Sequence, residues 1–340
     1  MEILENISLK KYNSFRIDVL AAKFATFKNL EEAGNLLDFF KQQINHLQIL
    51  ILGGGSNILF TKNFDGLVLK NEIAGIEKIK EDENYIYIKA GAAVNWHQLV
   101  LHCIKNNWAG LENLSLIPGN VGASPMQNIG AYGVEIKDVF YELEAMHIEE
   151  KKLVKFNLND CEFGYRESVF KQKFKNQFII TSVTYRLNKA PKFNTSYGAI
   201  EEELANMGIK ELSIQAISQA VINIRSSKLP DPKEIGNAGS FFKNPTVESS
   251  LFDKLKLTNP TIAGYPLANG NVKLAAGWLI EQCGWKGYKN GDAGCHVNQA
   301  LVLVNFGNAK GSEILQLSES IIASVQQKFA VTLEREVNIY

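Results

Sequence analysis

A buried strand that runs directly into three glycines constrains this chain more than any other segment. Residues 47–52 read Leu-Gln-Ile-Leu-Ile-Leu, and a short apolar run of this kind is typical of a buried strand. The loop that follows is Gly53, Gly54, Gly55, Ser56 and Asn57. Small residues after a strand can expose several backbone N–H groups to one anion, so the loop predicts a diphosphate site, with a plain tight turn as the alternative. Its spacing is neither G-x-G-x-x-G nor G-x-x-x-x-G-K-S/T, which disfavours a Rossmann fingerprint or a P-loop.

A second glycine-rich segment, residues 115–133, is long for a connection that shows no sustained period, and such loops are often functional. Its glycines permit close approach of the backbone to a ligand, and they are Gly119, Gly122, Gly130 and Gly133. Ser124, Gln127 and Asn128 offer donors and acceptors for a heterocycle. Two separate loops of this type indicate a large cofactor that extends across a domain.

Apolar periodicity places helices and strands on both sides of these loops. Stripes at helical spacing predict helices over residues 30–41, 96–104, 214–224 and 314–329. Further strands are expected at 67–69, 85–88 and 178–187. Residues 188–206 are polar and irregular, with Pro191 and Gly198, and they mark an expected domain boundary.

Composition excludes several classes of function. With 340 residues the chain should form two or three domains. Its 36 basic and 36 acidic residues cancel, so no long-range field favours nucleic acid or a membrane surface. No apolar run is long enough to span a bilayer and the N-terminus has no signal-peptide pattern, so a cytoplasmic protein is expected. Four widely spaced cysteines and five scattered histidines predict neither a disulfide framework nor a metal site.

The segment Gly-Asn-Ala-Gly-Ser-Phe-Phe-Lys-Asn-Pro, residues 236–245, is the most informative about chemistry. Ser240 follows small, flexible residues that let a ligand approach the backbone. The two phenylalanines after it can exclude water, and Lys243 and Asn244 can hold an anion. A core segment would usually use its small residues for packing instead. The alternative is a glycine turn followed by a half-buried strand.

Several separate motifs occur in a fixed order along nearly the whole chain. They are residues 12–15 (Tyr-Asn-Ser-Phe), 52–60, 115–133, 164–170 (Gly-Tyr-Arg-Glu-Ser-Val-Phe), 229–232 (Leu-Pro-Asp-Pro), 236–245, 273–280 and 336–337. In this order they closely resemble the UDP-N-acetylenolpyruvoylglucosamine reductase family, flavoenzymes of bacterial peptidoglycan precursor synthesis.

The resemblance implies an α+β fold. It consists of a two-lobed FAD-binding domain of the vanillyl-alcohol-oxidase (PCMH) type and a C-terminal α+β substrate-binding domain. The implied boundaries are 1–66 and 67–206 for the two lobes, 207–328 for the substrate-binding domain, and 329–340 for a C-terminal strand that returns to the flavin.

The resemblance also implies the substrates and the chemistry. Non-covalently bound FAD is reduced by NADPH and delivers a hydride from N5 to the vinyl carbon of UDP-N-acetylglucosamine-enolpyruvate, which yields UDP-N-acetylmuramate. The enolate that develops needs stabilisation, which falls to Arg166 and Glu336. It also needs a proton on carbon, which falls to Ser240.

Binding positions follow from the same resemblance. The residues implied for FAD are Gly53, Gly54, Gly55, Ser56, Asn57, Gly119, Ser124, Gln127, Asn128, Gly130, Tyr132 and Gly133. Those implied for the substrate are Tyr197, Lys228, Asn244 and Gln299. Tyr197 indicates the subclass in which a tyrosine closes over the UDP diphosphate. One departure is Asn338, where many relatives have an arginine, and Arg335 or Arg225 is the candidate replacement.

Each of these roles has an alternative in the residues themselves. Arg166 could pair with a neighbouring glutamate on the surface, and Lys228 could be an ordinary solvated lysine. If Leu333 and Val337 face inward on a simple strand, Glu336 would face outward. For the whole chain, the alternatives are a flavin-dependent oxidase that uses oxygen and a nucleotide-sugar binding protein without turnover. A monomer is expected.

Overall fold

The computed structural model describes residues 2–43, 48–197 and 199–340. The strands, in chain order, are β1 (Ile3–Ser8), β2 (Leu20–Phe27), β3 (Gln48–Leu52), β4 (Ile58–Leu59), β5 (Phe64–Asn71), β6 (Ile76–Glu81), β7 (Tyr85–Gly91), β8 (Gly130–Ala131), β9 (Val134–Glu135), β10 (Phe140–His147), β11 (Leu153–Asn157), β12 (Phe178–Asn188), β13 (Gly236–Ser240), β14 (Thr246–Val247), β15 (Gly264–Pro266), β16 (Val272–Leu274), β17 (Lys289–Asn290), β18 (Ala293–Cys295), β19 (Val302–Asn305) and β20 (Asn338–Ile339). The α-helices are α1 (Leu30–Gln43), α2 (Trp96–Lys105), α3 (Ile200–Asn206), α4 (Ile214–Lys228), α5 (Ser249–Thr258), α6 (Ala276–Gln282) and α7 (Gly311–Phe329).

The chain forms two compact units. Unit 1 comprises Met1–Ile7, Ala21–Gly54 and Asp65–Ser227, and unit 2 comprises Ser8–Leu20, Gly55–Phe64 and Lys228–Tyr340. The sequence placed a boundary at 206/207, whereas the compact units divide in the last turn of α4. The predicted functional domains 1–66, 67–206, 207–328 and 329–340 stay predictions.

The first sheet of unit 1 has four strands in the order β1-β2-β5-β3, and β3 runs parallel to β5. Helix α1 buries Leu36 and Phe40 in a core that also contains Phe27 of β2. This apolar stripe is why residues 30–41 read as a helix. The structure confirms the predicted strand at 67–69 and, except for Leu47, which lies outside the described residues, the predicted strand at 47–52.

The second sheet of unit 1 has five antiparallel strands in the order β11-β10-β12-β7-β6. Its middle strand β12 is buried along most of its length, which explains the long apolar run at 178–187. Helix α2 contributes Trp96 and Leu99 to the same core as this sheet. Its N-terminus is capped by Asn95, whose Oδ1 accepts a hydrogen bond from the N–H of Gln98 at 3.1 Å.

The segment 188–206, expected to be irregular, contains helix α3. Ile200 and Leu204 of α3 are buried against Ile217 and Val221 of α4. Two apolar residues four apart in a seven-residue helix give no sustained period, so the sequence pattern did not reveal it. Packing of α3 on α4 also explains why most of α4 belongs to unit 1.

Unit 2 contains the nineteen-residue helix α7 and two small antiparallel sheets, β13-β19-β18-β17 and β14-β16-β15. The buried stripe of α7 confirms the predicted helix at 314–329. The helix ends at Phe329, and Ala330 follows in the left-handed conformation with φ 54°. The predicted C-terminal strand is limited to β20, which pairs in parallel with β4.

Two observations bear on the classes of protein considered above. No helix in the described ranges is long and apolar enough to cross a membrane. All four cysteines are free thiols, and burial raises the pKa of Cys103, Cys161 and Cys295 to about 12.

Gly311 and Gly34 differ in how much room their surroundings leave for a side chain. A Cβ at Gly311, the first residue of α7, would overlap the carbonyl oxygen of Phe60, whereas a Cβ at Gly34 in α1 would meet only Lys151 Cδ at 3.9 Å. Gly311→Ala should lower the free energy of unfolding by roughly 3 kcal/mol, because the backbone must move. Gly34→Ala should raise it by up to about 1 kcal/mol through helix propensity. Thermal unfolding followed by circular dichroism measures both changes, and an unchanged midpoint for Gly311→Ala would contradict the close contact.

Candidate functional site

The start of the first predicted glycine-rich loop, Gly53 and Gly54, lies beside the second loop in unit 1. A Cβ on Gly54 would lie 2.9 Å from Gly119 Cα and 2.9 Å from Asn120 Oδ1, so this contact requires glycine. The carbonyl oxygen of Gly119 in turn accepts a hydrogen bond from the N–H of Trp96 at 3.0 Å, which fixes the second loop to the start of α2. The loops that the sequence assigned to one cofactor are therefore brought together by close backbone contact.

A cation that sequence reasoning missed lies at the first loop. Lys70, in β5, donates a hydrogen bond from Nζ to the carbonyl oxygen of Gly53 at 2.7 Å. Burial lowers the pKa of Lys70, and the nearby Glu72 opposes this shift. The available signal was a single lysine directly after the apolar run 67–69 of β5.

Gly55, Ser56 and Asn57 belong to unit 2. Gly55 has φ +63°, and a Cβ there would overlap the carbonyl oxygen of Tyr12. Its own carbonyl accepts a hydrogen bond from the N–H of Ser14 at 2.9 Å. The Ser14 hydroxyl is buried and has no hydrogen-bond partner within the part of the chain that the structure describes.

Asn338, which stands where an arginine was expected, binds the same segment of unit 2. Its Nδ2 and its backbone N–H both donate to the carbonyl oxygen of Asn57, at 3.0 and 3.1 Å. Asn57 Nδ2 donates to the carbonyl oxygen of Glu336 at 3.3 Å. The C-terminal segment is thereby held against the loop by amide groups instead of by a cation.

Two polar residues of the second loop are used inside unit 1. Ser124 is fully buried, and its Oγ lies 2.7 Å from both the carbonyl oxygen of Val121 and the hydroxyl of Tyr185. Asn128 is also fully buried, and its Nδ2 donates to Glu135 Oε2 and to the carbonyl oxygen of Gly164, each at 3.0 Å. Both side chains therefore order the loop, and the cofactor contacts predicted for them stay predictions.

Asn128 also links the second loop to the turn that carries Arg166. Arg166 has φ +57°, and its guanidinium Nη2 donates to the carbonyl oxygen of Gly130 at 2.7 Å. The neighbouring Glu167 lies 3.6 Å from Lys171 in a salt bridge. Arg166 is half-buried next to the glycine-rich loop, and its predicted role in stabilising the enolate stays a prediction.

A second arginine lies close to Arg166 in unit 1. Arg225, in α4, donates from Nε to the carbonyl oxygen of Leu116 at 3.3 Å. Burial lowers the pKa of Arg225 and the adjacent Arg166 lowers it further, whereas Tyr132 opposes the shift. An arginine remains charged despite such a shift. Two guanidinium groups near one loop form a strongly positive region. From the sequence, Arg225 was expected only as a candidate replacement for the arginine missing at position 338.

Tyr197 also lies beside the second loop. Its side chain is exposed, and its Cβ is 3.2 Å from the position of a Cβ on Gly133. Asn194 Nδ2 donates to the carbonyl oxygen of Gly133 at 3.2 Å, and buried Asn113 donates to the carbonyl oxygen of Asn194 at 2.8 Å. The segment that carries Tyr197 is therefore fixed to the second loop near Gly133. Gly198, the expected hinge, lies outside the described residues.

The segments that carry Ser240 and Glu336 pair through their backbones within unit 2. Ser240 is the half-buried last residue of β13, and a Cβ on the preceding Gly239 would meet no atom within 4 Å. The N–H of Glu336 donates to the carbonyl oxygen of Phe241 at 2.9 Å. A hydroxyl and a carboxyl from distant parts of the sequence therefore flank a segment bordered by open space.

The predicted outward position of Glu336 is only partly correct. Leu333 and Val337 are buried and Glu334 is exposed, as alternation requires, but Glu336 is half-buried. Hydrogen bonds on both sides of its backbone, to Phe241 and from Asn57, turn the chain away from a simple strand.

Lys243 corrects one expectation about the anion site. It was expected to hold an anion with Asn244, but it is buried and its Nζ lies 2.5 Å from Glu334 Oε1. Its charge therefore has a protein partner.

The remaining predicted binding residues lie elsewhere in unit 2. Asn244 Oδ1 accepts a hydrogen bond from the N–H of Ala276 at 2.9 Å, and Gln299 Oε1 lies 3.0 Å from the position of a Cβ on Gly277. These two side chains meet at the first turn of α6. Lys228 is exposed at the end of α4. In the described ranges no three His, Cys, Asp or Glu side chains are arranged to hold a metal ion.

Comparison with known proteins adds an independent finding. A family model described as an FAD binding domain matches residues 21–156, and the model for the C-terminal domain of UDP-N-acetylenolpyruvoylglucosamine reductase matches residues 231–340. The α+β architecture with an FAD-binding domain and a separate C-terminal domain is therefore confirmed.

Full-length relatives agree with these models. The UDP-N-acetylenolpyruvoylglucosamine reductase of Amoebophilus asiaticus is 52% identical, over 100% of this chain and 99% of its own. That of Flavobacterium johnsoniae is 51% identical over 100% of both chains. A crystal structure of the Thermus caldophilus enzyme shares the fold, with a TM-score of 0.67 and 23% identity over 100% of this chain and 98% of that one. The chain belongs to the UDP-N-acetylenolpyruvoylglucosamine reductase family.

Proposed function

We propose that this chain uses bound FAD and NADPH to reduce the enolpyruvyl group of UDP-N-acetylglucosamine-enolpyruvate to UDP-N-acetylmuramate. The observation that carries the proposal is the pairing of the Ser240 and Glu336 segments beside open space in unit 2. A proton donor and a carboxyl placed together in this way suit the protonation of a carbanion next to a carboxylate. The expected monomeric state and cytoplasmic location stay predictions.

The residues at the glycine-rich loops fit FAD. The buried Ser14 hydroxyl lacks a partner among the described residues and belongs to a segment bonded to Gly55. A phosphate oxygen would satisfy this donor. Lys70 adds a positive charge beside Gly53, and Gly54 has no room for a side chain. We assign the diphosphate of FAD to residues 53–57 and its flavin to the 119–133 loop.

Bound FAD would supply the hydride-transfer centre, with NADPH as its reductant. The chain itself must stabilise the negative charge that develops on the substrate carboxylate. Arg166 suits this task because its planar fork can bind both carboxylate oxygens and it stays charged at neutral pH. Its bond to Gly130 holds the guanidinium in place. Glu336, when protonated, can donate a hydrogen bond to the same carboxylate.

Ser240 is the proposed proton donor to the substrate carbon. An enolate is basic enough to take a proton from a serine hydroxyl where water is excluded. Phe241 and Phe242 are fully buried next to Ser240 and provide apolar surroundings. The proton leaves Oγ and forms the new C–H bond, and solvent then returns a proton to Oγ before the next turnover.

Arg225 is the proposed replacement for the arginine expected at position 338. Arg335 is already engaged in unit 2, where its Nε donates to Ser318 Oγ at 2.9 Å and its Nη2 lies 3.7 Å from Glu319. Arg225 instead lies near Arg166 and keeps donors that its single bond to Leu116 does not use. Lys228, Asn244 and Gln299 are the proposed partners of the UDP diphosphate and sugar, with Tyr197 closing over them.

A matched pair of glycine substitutions separates loop packing from cofactor contact. Gly54→Ala should lower the thermal midpoint of the apoprotein, whereas Gly53→Ala, with no neighbour closer than 3.9 Å, should leave it unchanged. Gly53→Ala should still weaken FAD binding roughly tenfold or more, because the diphosphate must approach the backbone closely. Fluorescence titration of the apoprotein with FAD measures the affinity. Unchanged affinity in Gly53→Ala would refute the placement of the diphosphate at this loop.

Tyr197→Phe should weaken substrate binding more than it slows turnover. A hydroxyl that donates to a diphosphate contributes roughly 1.5–3 kcal/mol, so KM should rise tenfold or more while kcat changes little. Steady-state kinetics at saturating NADPH give both constants. Tyr141→Phe is the control, because Tyr141 is also an exposed tyrosine of unit 1 but lies in the sheet strand β10. A fall in kcat with unchanged KM would show that the hydroxyl does not act as a lid.

Ser240→Ala should leave reduction of the flavin intact and impair its reoxidation by the substrate. Reduction of the flavin by NADPH needs no proton donor to carbon, so it should proceed at nearly the normal rate. Reoxidation by the enolpyruvyl substrate should slow by roughly 10²-fold or more, the usual effect of removing a positioned acid. Anaerobic stopped-flow spectroscopy resolves the two halves. Equal slowing of both would mean that Ser240 only shapes the flavin pocket.

Two controls complete this experiment. Glu336→Gln should also spare reduction of the flavin by NADPH. Because Glu336 stabilises charge and does not deliver the proton, the solvent isotope effect on reoxidation of this variant should differ from that of Ser240→Ala. Photoreduced wild-type protein should reoxidise faster with the enolpyruvyl substrate than with air. The reverse order would favour an oxidase, and purified protein without flavin absorbance would favour a nucleotide-sugar binding protein.

A further inference from the structure

A basic groove lies in unit 2 and is lined by none of the residues assigned above to FAD or to the substrate. Its volume is about 430 Å³, and its three walls are Lys10 with residues 16–19, residues 61–63, and residues 307–312. Four lining side chains are cations, namely Lys10, Arg16, Lys62 and Lys310, and one is the anion Asp18. Three segments distant in sequence therefore bring positive charge to one concave surface.

The side chains that line the groove carry more positive than negative charge. Two carboxylates outside the lining bind its third wall, since Asp292 Oδ2 accepts the N–H of Asn308 and Glu313 Oε2 accepts the N–H of Lys310, each at 2.7 Å. The four cations and one anion of the lining leave a net charge of +3, in a chain whose formal net charge is zero. Asp18 accepts a hydrogen bond from the Ser8 hydroxyl at 2.6 Å. None of the four cations forms a salt bridge with a residue in the ranges 2–43, 48–197 and 199–340. Gathering unpaired like charges is unfavourable unless an anion binds between them.

The first wall is ordered by a buried asparagine. Asn13 Nδ2 donates to the carbonyl oxygens of Leu9 and Ile17, at 2.8 and 3.0 Å, and its Oδ1 accepts a hydrogen bond from the N–H of Ile17 at 2.9 Å. These bonds close the loop that carries Lys10 and Arg16. The backbone of Arg16 is held at φ +56° within this loop.

A second buried asparagine orders the third wall and joins it to the first. Asn305 Oδ1 accepts hydrogen bonds from the N–H groups of Gly307 and Ala309, at 2.9 and 3.0 Å. Its Nδ2 donates to the carbonyl oxygen of Phe15 at 2.9 Å. Gly311 then packs directly on Phe60, next to the second wall. The backbone that positions the cations is thus fixed before any ligand binds, which lowers the entropic cost of binding.

We infer that this groove is a binding site for a diphosphate or a longer oligophosphate. The placement of the cations decides the class, because they lie on three separate walls and two linked phosphates can contact more than one wall at once. Arginine and lysine together suit phosphate oxygens, and the Asn63 side chain, whose Oδ1 accepts the N–H of Leu20 at 2.9 Å, retains its NH2 as a donor. The volume exceeds that of one phosphate and is within the range of small-ligand sites. Free pyrophosphate and the oligophosphate of a nucleotide share this chemistry.

Isothermal titration of the FAD-loaded enzyme with inorganic pyrophosphate at low salt tests the site. We expect one pyrophosphate per chain in the wild type and in Lys228→Ala, which alters the proposed substrate site only. The double variant Lys62→Gln/Lys310→Gln should bind roughly 100-fold more weakly, at about tenfold per charge-assisted contact. Lys254→Gln removes an exposed charge of unit 2 outside the groove and should bind as the wild type does.

Several results would overturn the inference. They are no binding in the wild type, loss of binding in Lys228→Ala, unchanged binding in a double variant that melts at the wild-type temperature, or equal weakening by Lys254→Gln. Orthophosphate that binds as tightly as pyrophosphate would overturn the oligophosphate assignment. Titration with ADP distinguishes the sources: tighter binding than pyrophosphate identifies a nucleotide, and equal or weaker binding identifies the free diphosphate.

Discussion

The contact between Gly54 and Gly119 is the constraint on which unit 1 depends. Two backbones approach there with no room for a Cβ, and each is tied to a different part of the core, β3 on one side and α2 on the other. The first loop has no regular secondary structure and the second has only short elements such as β8, so the close backbone contact sets the spacing between them. A cofactor that needs phosphate donors from one loop and a flat surface from the other can bind only if this spacing is kept.

Buried asparagines transmit that constraint to the functional side chains. Asn128 fastens the second loop to the turn of Arg166, and Asn113 fastens the Tyr197 segment through Asn194. An asparagine side chain can donate and accept at the same time, so it can replace a piece of regular backbone pairing where the chain is irregular. Asn128, which was expected to contact the cofactor, thus also holds the turn of Arg166, which is proposed to bind the substrate carboxylate.

Regular elements were predictable because they carry a period. Helices α1, α2, α4 and α7 and strand β12 each present a sustained apolar pattern, and all were expected at nearly their observed bounds. Helix α3 was missed because its two buried residues, Ile200 and Leu204, are too few to show one. The family resemblance supplied the motifs of the candidate site, whose residue roles stay predictions, but it did not supply their tertiary pairings. The partner of Lys243 is Glu334, ninety-one positions away, and no local pattern records it.

Position 338 has an asparagine where an arginine was expected, and we propose that the structural role of that position and its charge are filled by different residues. Asn338 takes over the structural part of that position, since its amide holds the C-terminal segment of unit 2 to Asn57. An amide cannot take over the charge. Arg335, the neighbour in sequence, is unsuitable because Ser318 and Glu319 already engage its guanidinium. Arg225 has no sequence relation to that position, and we propose it as the replacement because it is partly buried and lies close to Arg166. A side chain can replace a lost charge only where its own hydrogen bonds leave donors available, which is why Arg225 and not Arg335 is proposed.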